Sequence, residues 1–324
     1  MASRKPPTPF VRRQRDRQTA WRGDRPAGRW EIDGRELPLR WALRADLATE
    51  TLYPPVRDEV LAVFRERDVA WHEERTKAYG ERPPGPSPNL MDSQTFCLNF
   101  WEGLAAESSE GLLAALRGLV PARGVEAPVD RVLEPEWIGL ENHLAERGRK
   151  RRRGQYATSA DLLFAWRDEH GRHGLLLESK WSERYDTTSL RHTPWGTDRA
   201  AIYRPAVERF QPLTVAFEPL MVDPFDQLLR LQLLGAAMEA CGELGFETVS
   251  VGWVAPAANE HLWSELTAPL VGGTVPEAWR GVLTRPERFT HASYEALYEL
   301  AAPHAPAWAA WMSTRYGLGT GDGP

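Results

Sequence analysis

Two short apolar runs joined by a polar turn constrain this chain most. Ala160–Arg167 reads Ala-Asp-Leu-Leu-Phe-Ala-Trp-Arg, Asp168–Gly174 supplies turn residues, and Leu175–Trp181 is the second run. Runs of that length around a Gly-containing turn predict a β-hairpin. With the turn centred on His170-Gly171, Asp161 falls opposite Lys180 and Leu163 opposite Glu178. Glu178 and Lys180 are two apart and share one face of their strand. Two carboxylates and an amine then converge at one end of an apolar hairpin.

Charges in such a setting need partners, because an unpaired buried charge costs several kcal/mol. A divalent cation would neutralise the carboxylates through oxygen ligands. It would also polarise a phosphate and acidify water. The Lys ammonium could hold that water or stabilise charge on phosphorus. Only four of the forty basic residues are Lys (Lys5, Lys77, Lys150, Lys180), so Lys at 180 is an exception in an Arg-rich chain. Arg would replace it poorly, since its planar fork stays protonated. The plain alternative is a cross-strand salt bridge between Asp161 and Lys180 on an exposed edge. The residues alone leave both open.

Around the hairpin the periodicity predicts a helix over Val56–Tyr79, from Val60, Val63, Phe64, Arg67 and Trp71. The Pro-rich stretch 81–89 is a loop. Helical segments are expected over Ser93–Leu104 and Leu112–Leu119, with a strand at Trp137–Glu141. A long helix is expected from about Pro224 to Glu243, ended by Gly242 and Gly245, and then a strand over Thr248–Ala255. The domain plan is a basic, partly disordered arm over 1–45, a helical region over 46–125, an α/β core over 126–316 and a flexible tail over 317–324.

Hydrophobic content of 42% and charged content of 26% are globular values. The net charge of -5 is unevenly spread: residues 1–44 hold twelve Lys or Arg against five Asp or Glu, and 147–153 add six more positive charges. Two basic patches on an acidic body suit a polyanion such as DNA. A solvated tail and a solvated loop would look the same. No run is long and apolar enough for a membrane span, no secretory signal is visible, and two cysteines make no disulfide framework, so the expected location is cytoplasmic. His170 and His173 read as turn residues, and neither an HExxH zinc pattern nor a phosphate-binding Gly-x₄-Gly-Lys loop is present.

Asp161 with Glu178-Ser179-Lys180 resembles the core motif of the PD-(D/E)XK, or restriction-endonuclease-like, nuclease superfamily. Residue 160 is Ala where that motif's long form has Pro. Further landmarks resemble a bacterial restriction-endonuclease-like branch, in order: Ser93-Gln94 with Asn99-Phe100, Ile138-Gly-Leu-Glu141, Glu178-Ser-Lys-Trp-Ser-Glu183, and the stretch from Gln227 through Arg230 and Gln232. The resemblance implies an α/β fold with a mixed central sheet flanked by helices. It also implies Mg²⁺- or Mn²⁺-dependent hydrolysis of DNA in restriction or phage defence. Asp161, Glu178 and Glu141 would ligate the metal, and Lys180 would assist the attacking water. Gln227, Arg230 and the basic run Arg149, Lys150, Arg151, Arg152 and Arg153 would meet nucleic acid, and Trp181 and Trp195 could stack on nucleotides. A homodimer and partner proteins of a defence system are left open. The rival readings are a catalytically silent nucleic-acid-binding relative, or a globular protein unrelated to nucleic acid.

Overall fold

The structure is a computed structural model and describes residues 6–32, 35–72, 84–146, 151–155, 157–185, 198–268, 270 and 272–320. Helix α1 (Pro9–Arg22) leads into a two-stranded antiparallel ribbon of β1 (Ala27–Ile32) and β2 (Arg35–Leu43). Helices α2 (Arg57–Glu66), α3 (Ser93–Glu107) and α4 (Ser109–Arg117) come next. Strands β3 (Gly124–Glu126), β4 (Leu133–Trp137), β5 (Ala160–Asp168) and β6 (Gly171–Ser179) follow. The remainder runs α5 (Arg199–Phe210), α6 (Phe225–Cys241), β7 (Thr248–Ala255), α7 (Glu260–Ser264), α8 (Val275–Val282), β8 (Phe289–Ser293), α9 (Tyr294–Ala301) and α10 (Pro306–Tyr316).

The central sheet has six strands in the order β3-β5-β6-β7-β8, with β4 also pairing β5. The β5 pairings are antiparallel, whereas β6 with β7 and β7 with β8 are parallel. This is the mixed, helix-flanked α/β sheet that the resemblance implied. Alternation along the hairpin divides its side chains between two cores. Leu162, Phe164, Trp166, Leu175 and Leu177 join the core with Phe96, Phe100 and Trp308. Leu163, Ala165 and Leu176 join the other, with Leu228, Leu231 and Trp253. Helix α3 packs directly on the sheet, so residues on both sides of position 125 share this core.

Five local expectations need correction. The hairpin ladder closes at Asp168↔Gly171, leaving Glu169-His170 as a two-residue loop. Leu162 pairs Leu177, so the register brings Asp161 opposite Glu178 instead of Lys180. A two-residue slip keeps every side chain on its face, because the strand period is two. His173 is not a turn residue: it is buried within β6, between Asp168 (2.7 Å) and Thr248 (2.8 Å).

Of the helix expected over Val56–Tyr79, α2 stops at Glu66, Asp68 takes a left-handed φ of 51°, and residues 73–79 lie outside the described residues. The chain folds back there and stacks Trp71 on Phe64 at 3.9 Å, so the two aromatics meet through a reversal. The strand expected at Trp137–Glu141 lies earlier, ending at Trp137. Finally, residues 9–22 of the supposed arm are α1, which docks on α10: the Gln14 and Gln18 amides donate to the Tyr316 and Arg315 carbonyls at 3.1 and 2.9 Å. Both glutamines are buried.

Candidate active site

The ends of β4, β5 and β6 line up three carboxylates. Continuing the observed registers, Asp161 on β5 stands opposite Glu136 on β4 and opposite Glu178 on β6. Glu178 and Glu136 are buried, and Asp161 is partly so. Burial, with Glu178 and Glu136 as like-charged neighbours, pushes the Asp161 carboxyl well above its usual range. The Ser179 N–H donates to Asp161 Oδ2 at 2.6 Å, fixing the carboxylate.

Lys180 continues β6, its N–H donating to the Val254 carbonyl on β7 at 2.8 Å. Its ammonium pairs with Glu178 at 2.7 Å and donates to Gln227 Oε1 at 2.6 Å. Burial alone would lower its pKa, but Glu178, Glu183 and Asp161 raise it far above the ordinary value. These neighbours favour the charged ammonium form of Lys180. Two of its three protons are spoken for, and one remains for a ligand.

The other side of the cleft comes from the chain upstream. Gln94, near the N-terminus of α3, donates to Glu136 Oε1 at 2.7 Å and accepts from the His72 N–H at 2.9 Å. The Ser159 hydroxyl donates to Glu136 Oε2 at 2.8 Å. Glu136 adopts a left-handed φ of 50°, a costly backbone for a non-glycine residue, which turns its carboxylate inward. A β-carbon at Gly154 would lie 3.1 Å from Glu136 Oε2, so glycine makes room there. His72 Nε2 sits 3.4 Å from Glu136 Oε1, with 37% of its side chain exposed. Burial would lower the imidazole pKa, yet Glu136, Asp92 and Asp161 bring it up to about 10. Ligand atoms of His72, Glu136 and Asp161 all lie within 4.8 Å of one another. Together with Lys180, Gln227 and Arg230 these groups line a cleft of about 180 Å³.

The structure thus gathers Asp161, Glu178, Lys180, Gln227 and Arg230, but not Glu141. That residue is exposed in the turn after β4 and lines no part of the cleft; the third carboxylate is Glu136. Nothing in a Glu-Pro-Glu strand marks one Glu as special before its backbone is seen. Arg230 is held by the fully buried Asp226 at 3.0 Å, which also binds Arg199 at 2.5 Å.

The basic run divides. Arg149 and Lys150 lie outside the described residues. Arg151 donates to the Ile138 carbonyl, Arg152 pairs Asp68 at 2.9 Å, and Arg153 pairs the buried Glu134 at 2.8 Å. Three of the expected phosphate ligands are therefore tied to the protein itself. Trp181 is no stacking platform either: it is 1% exposed and lies flat on Phe96 at 3.8 Å. Trp195 is outside the described residues.

A mixed six-stranded sheet with an antiparallel hairpin and parallel strands beyond it is a restriction-endonuclease-like core. The model of the family described as restriction endonuclease associating with ARP matches residues 15–317, and the chain belongs to that family. Neither curated proteins nor solved structures give a match. Among the described residues, no helix is long and apolar enough to cross a membrane.

Proposed function

We propose that this chain is a metal-dependent endonuclease that hydrolyses phosphodiester bonds of DNA, acting in restriction or phage defence. The observation that carries the reading is the row Glu136, Asp161 and Glu178 across three strands, with the Lys180 ammonium at its end. Three carboxylates at adjacent register positions repel one another in a small cleft, and a divalent cation would relieve that. The donors fit Mg²⁺ or Mn²⁺: Asp161 and Glu136 offer oxygens beside His72, whose nitrogen, once it gives up its proton, suits Mn²⁺ better than Mg²⁺, and Glu178 stands opposite Asp161 in the register. Glu136 takes the place expected for Glu141.

When bound, the ion would supply Lewis acidity toward the phosphodiester and make water a stronger acid. The protein's own groups do the rest. Lys180 is held by Glu178 and Gln227, so its free proton points a fixed charge at the reacting phosphate or its attacking water. Gln227 positions that ammonium from the first turn of α6. Arg230, braced by Asp226, adds positive charge on the same side of the cleft. The family description names association with ARP, and we carry that partner to this chain as part of the proposal, with a homodimer left to measurement.

The test is supercoiled plasmid with Mg²⁺ or Mn²⁺, for wild type and Lys180→Ala. Nicking should require metal, stop with chelator and be lost in the variant. Failure of the wild type to cut any DNA or RNA form in either metal would point to a silent binder of the same fold.

A further inference from the structure

We infer a second metal site, away from the acidic cleft, formed by His143, Cys241 and Glu243 and suited to a borderline transition ion such as Zn²⁺. Cys241 closes α6, and Glu243 follows across Gly242, whose left-handed φ of 65° reverses the chain. His143 comes from the loop after β4, a hundred residues earlier. Ligand atoms of the three lie within 4.8 Å of one another.

His143 pairs with Glu243 and Arg151 acts on it electrostatically, but hydrogen bonding leaves one oxygen of this cluster unmatched. Glu243 is 6% exposed, and its Oε2 accepts from the Leu140 N–H at 3.0 Å and meets His143 Nε2 at 2.6 Å. Its Oε1 is buried with no hydrogen-bond partner. A buried carboxylate oxygen without a donor needs an explanation, and a cation beside it supplies one. The His143 ring is set by packing: a β-carbon at Gly139 would fall 2.7 Å from its Cδ2. Cys241 is exposed and makes only a weak 3.5 Å contact to the Met238 carbonyl, so its sulfur is available.

One sulfur, one imidazole nitrogen and one carboxylate oxygen are the donors of tetrahedral zinc sites, with a fourth position left for water. Mg²⁺ and Ca²⁺ prefer oxygen alone and are poorly served by a thiolate. Binding requires the Cys241 thiol to lose its proton to solvent. It also requires the 2.6 Å His143–Glu243 contact to open to about 3.3 Å, the edge of a tetrahedron with about 2 Å bonds. The ion would clamp the β4–β5 connection to the end of α6, the helix that brings Gln227 and Arg230 to the cleft. That connection runs on into the basic segment 147–153.

The experiment is titration of the full chain with Co²⁺, then Zn²⁺, without nucleic acid. One equivalent of Co²⁺ should give a thiolate-to-cobalt charge-transfer absorption that Zn²⁺ abolishes. Cys241→Ser should remove the band and His143→Gln should weaken binding at least about tenfold, while Asp161→Asn keeps it. Without any variant, Zn²⁺ should slow labelling of Cys241 by a thiol reagent at least about tenfold, with Mg²⁺ having no effect. Absence of the band together with unprotected labelling would overturn the site, as would a band surviving Cys241→Ser. None of these readouts depends on nuclease activity.

Discussion

Replacing Asp161 with Asn takes one negative charge from the middle of the carboxylate row and changes almost nothing else. Asn keeps an oxygen for the Ser179 N–H, now bonded at 2.6 Å. Directly opposed residues on neighbouring strands have β-carbons about 5 Å apart. Charges about 5 Å apart interact by roughly 3 kcal/mol at an effective dielectric near 20. Asp161 has two such repulsions, from Glu136 and Glu178, and two attractions, from Lys180 and His72. Burial adds to the repulsions, and together they outweigh the attractions, so removing the charge should leave the metal-free variant melting no lower than wild type.

Metal reverses that balance. An ion at a hundred times its dissociation constant stabilises the folded state by about 2.7 kcal/mol, or about 5 °C in a chain of this size. Wild type should show that shift with Mn²⁺, and Asp161→Asn should lose most of it, with cleavage down by about 10³-fold. The assay is thermal melting with Mn²⁺ and with chelator, beside plasmid nicking. An equal Mn²⁺ shift in wild type and variant would refute the placement of Asp161 as a ligand. A metal-free melting point lowered by far more than 5 °C would show a structural carboxylate instead.

Glu136→Gln should reduce cleavage by at least about 10²-fold, whereas Glu141→Gln should leave nicking rates unchanged; the reverse result would restore Glu141 to the site. Arg153→Gln should destabilise by about 1–3 kcal/mol in denaturant, because the fully buried Glu134 keeps only Arg67. An unchanged denaturation midpoint would return Arg153 to the surface. Burial holds the Glu102 carboxyl up to about 7, with Arg131 drawing it down only in part. Between its ordinary value and pH 7 the folded state keeps a proton that the unfolded chain releases, so this group's contribution falls as pH rises. Glu102→Gln removes that slope: its stability relative to wild type should rise between pH 5 and 8 by at most about 3 kcal/mol, and a constant difference would contradict the shift.

Local pattern determined a good part of this molecule. Strands β5, β6 and β7 and helix α6 are apolar runs bounded by turn residues, and their identity follows from period and punctuation. Asp161, Glu178 and Lys180 were legible because two charged positions at strand spacing stand out in a run of Leu, Phe and Trp. What lies outside one hairpin was decided elsewhere. Glu136 depends on β4 pairing with β5 and on a left-handed residue inside a strand, and neither can be read from Leu-Glu-Pro-Glu-Trp. His72 depends on the break after Glu66 and on Gln94 receiving its backbone. The Arg151–Arg153 charges were plain in the sequence, but Ile138, Asp68 and Glu134 are their partners only after folding. Sequence shows which side chains are charged and which strands form; long-range pairing decides which charges meet, because electrostatic and hydrogen-bond partners are set by distance in space.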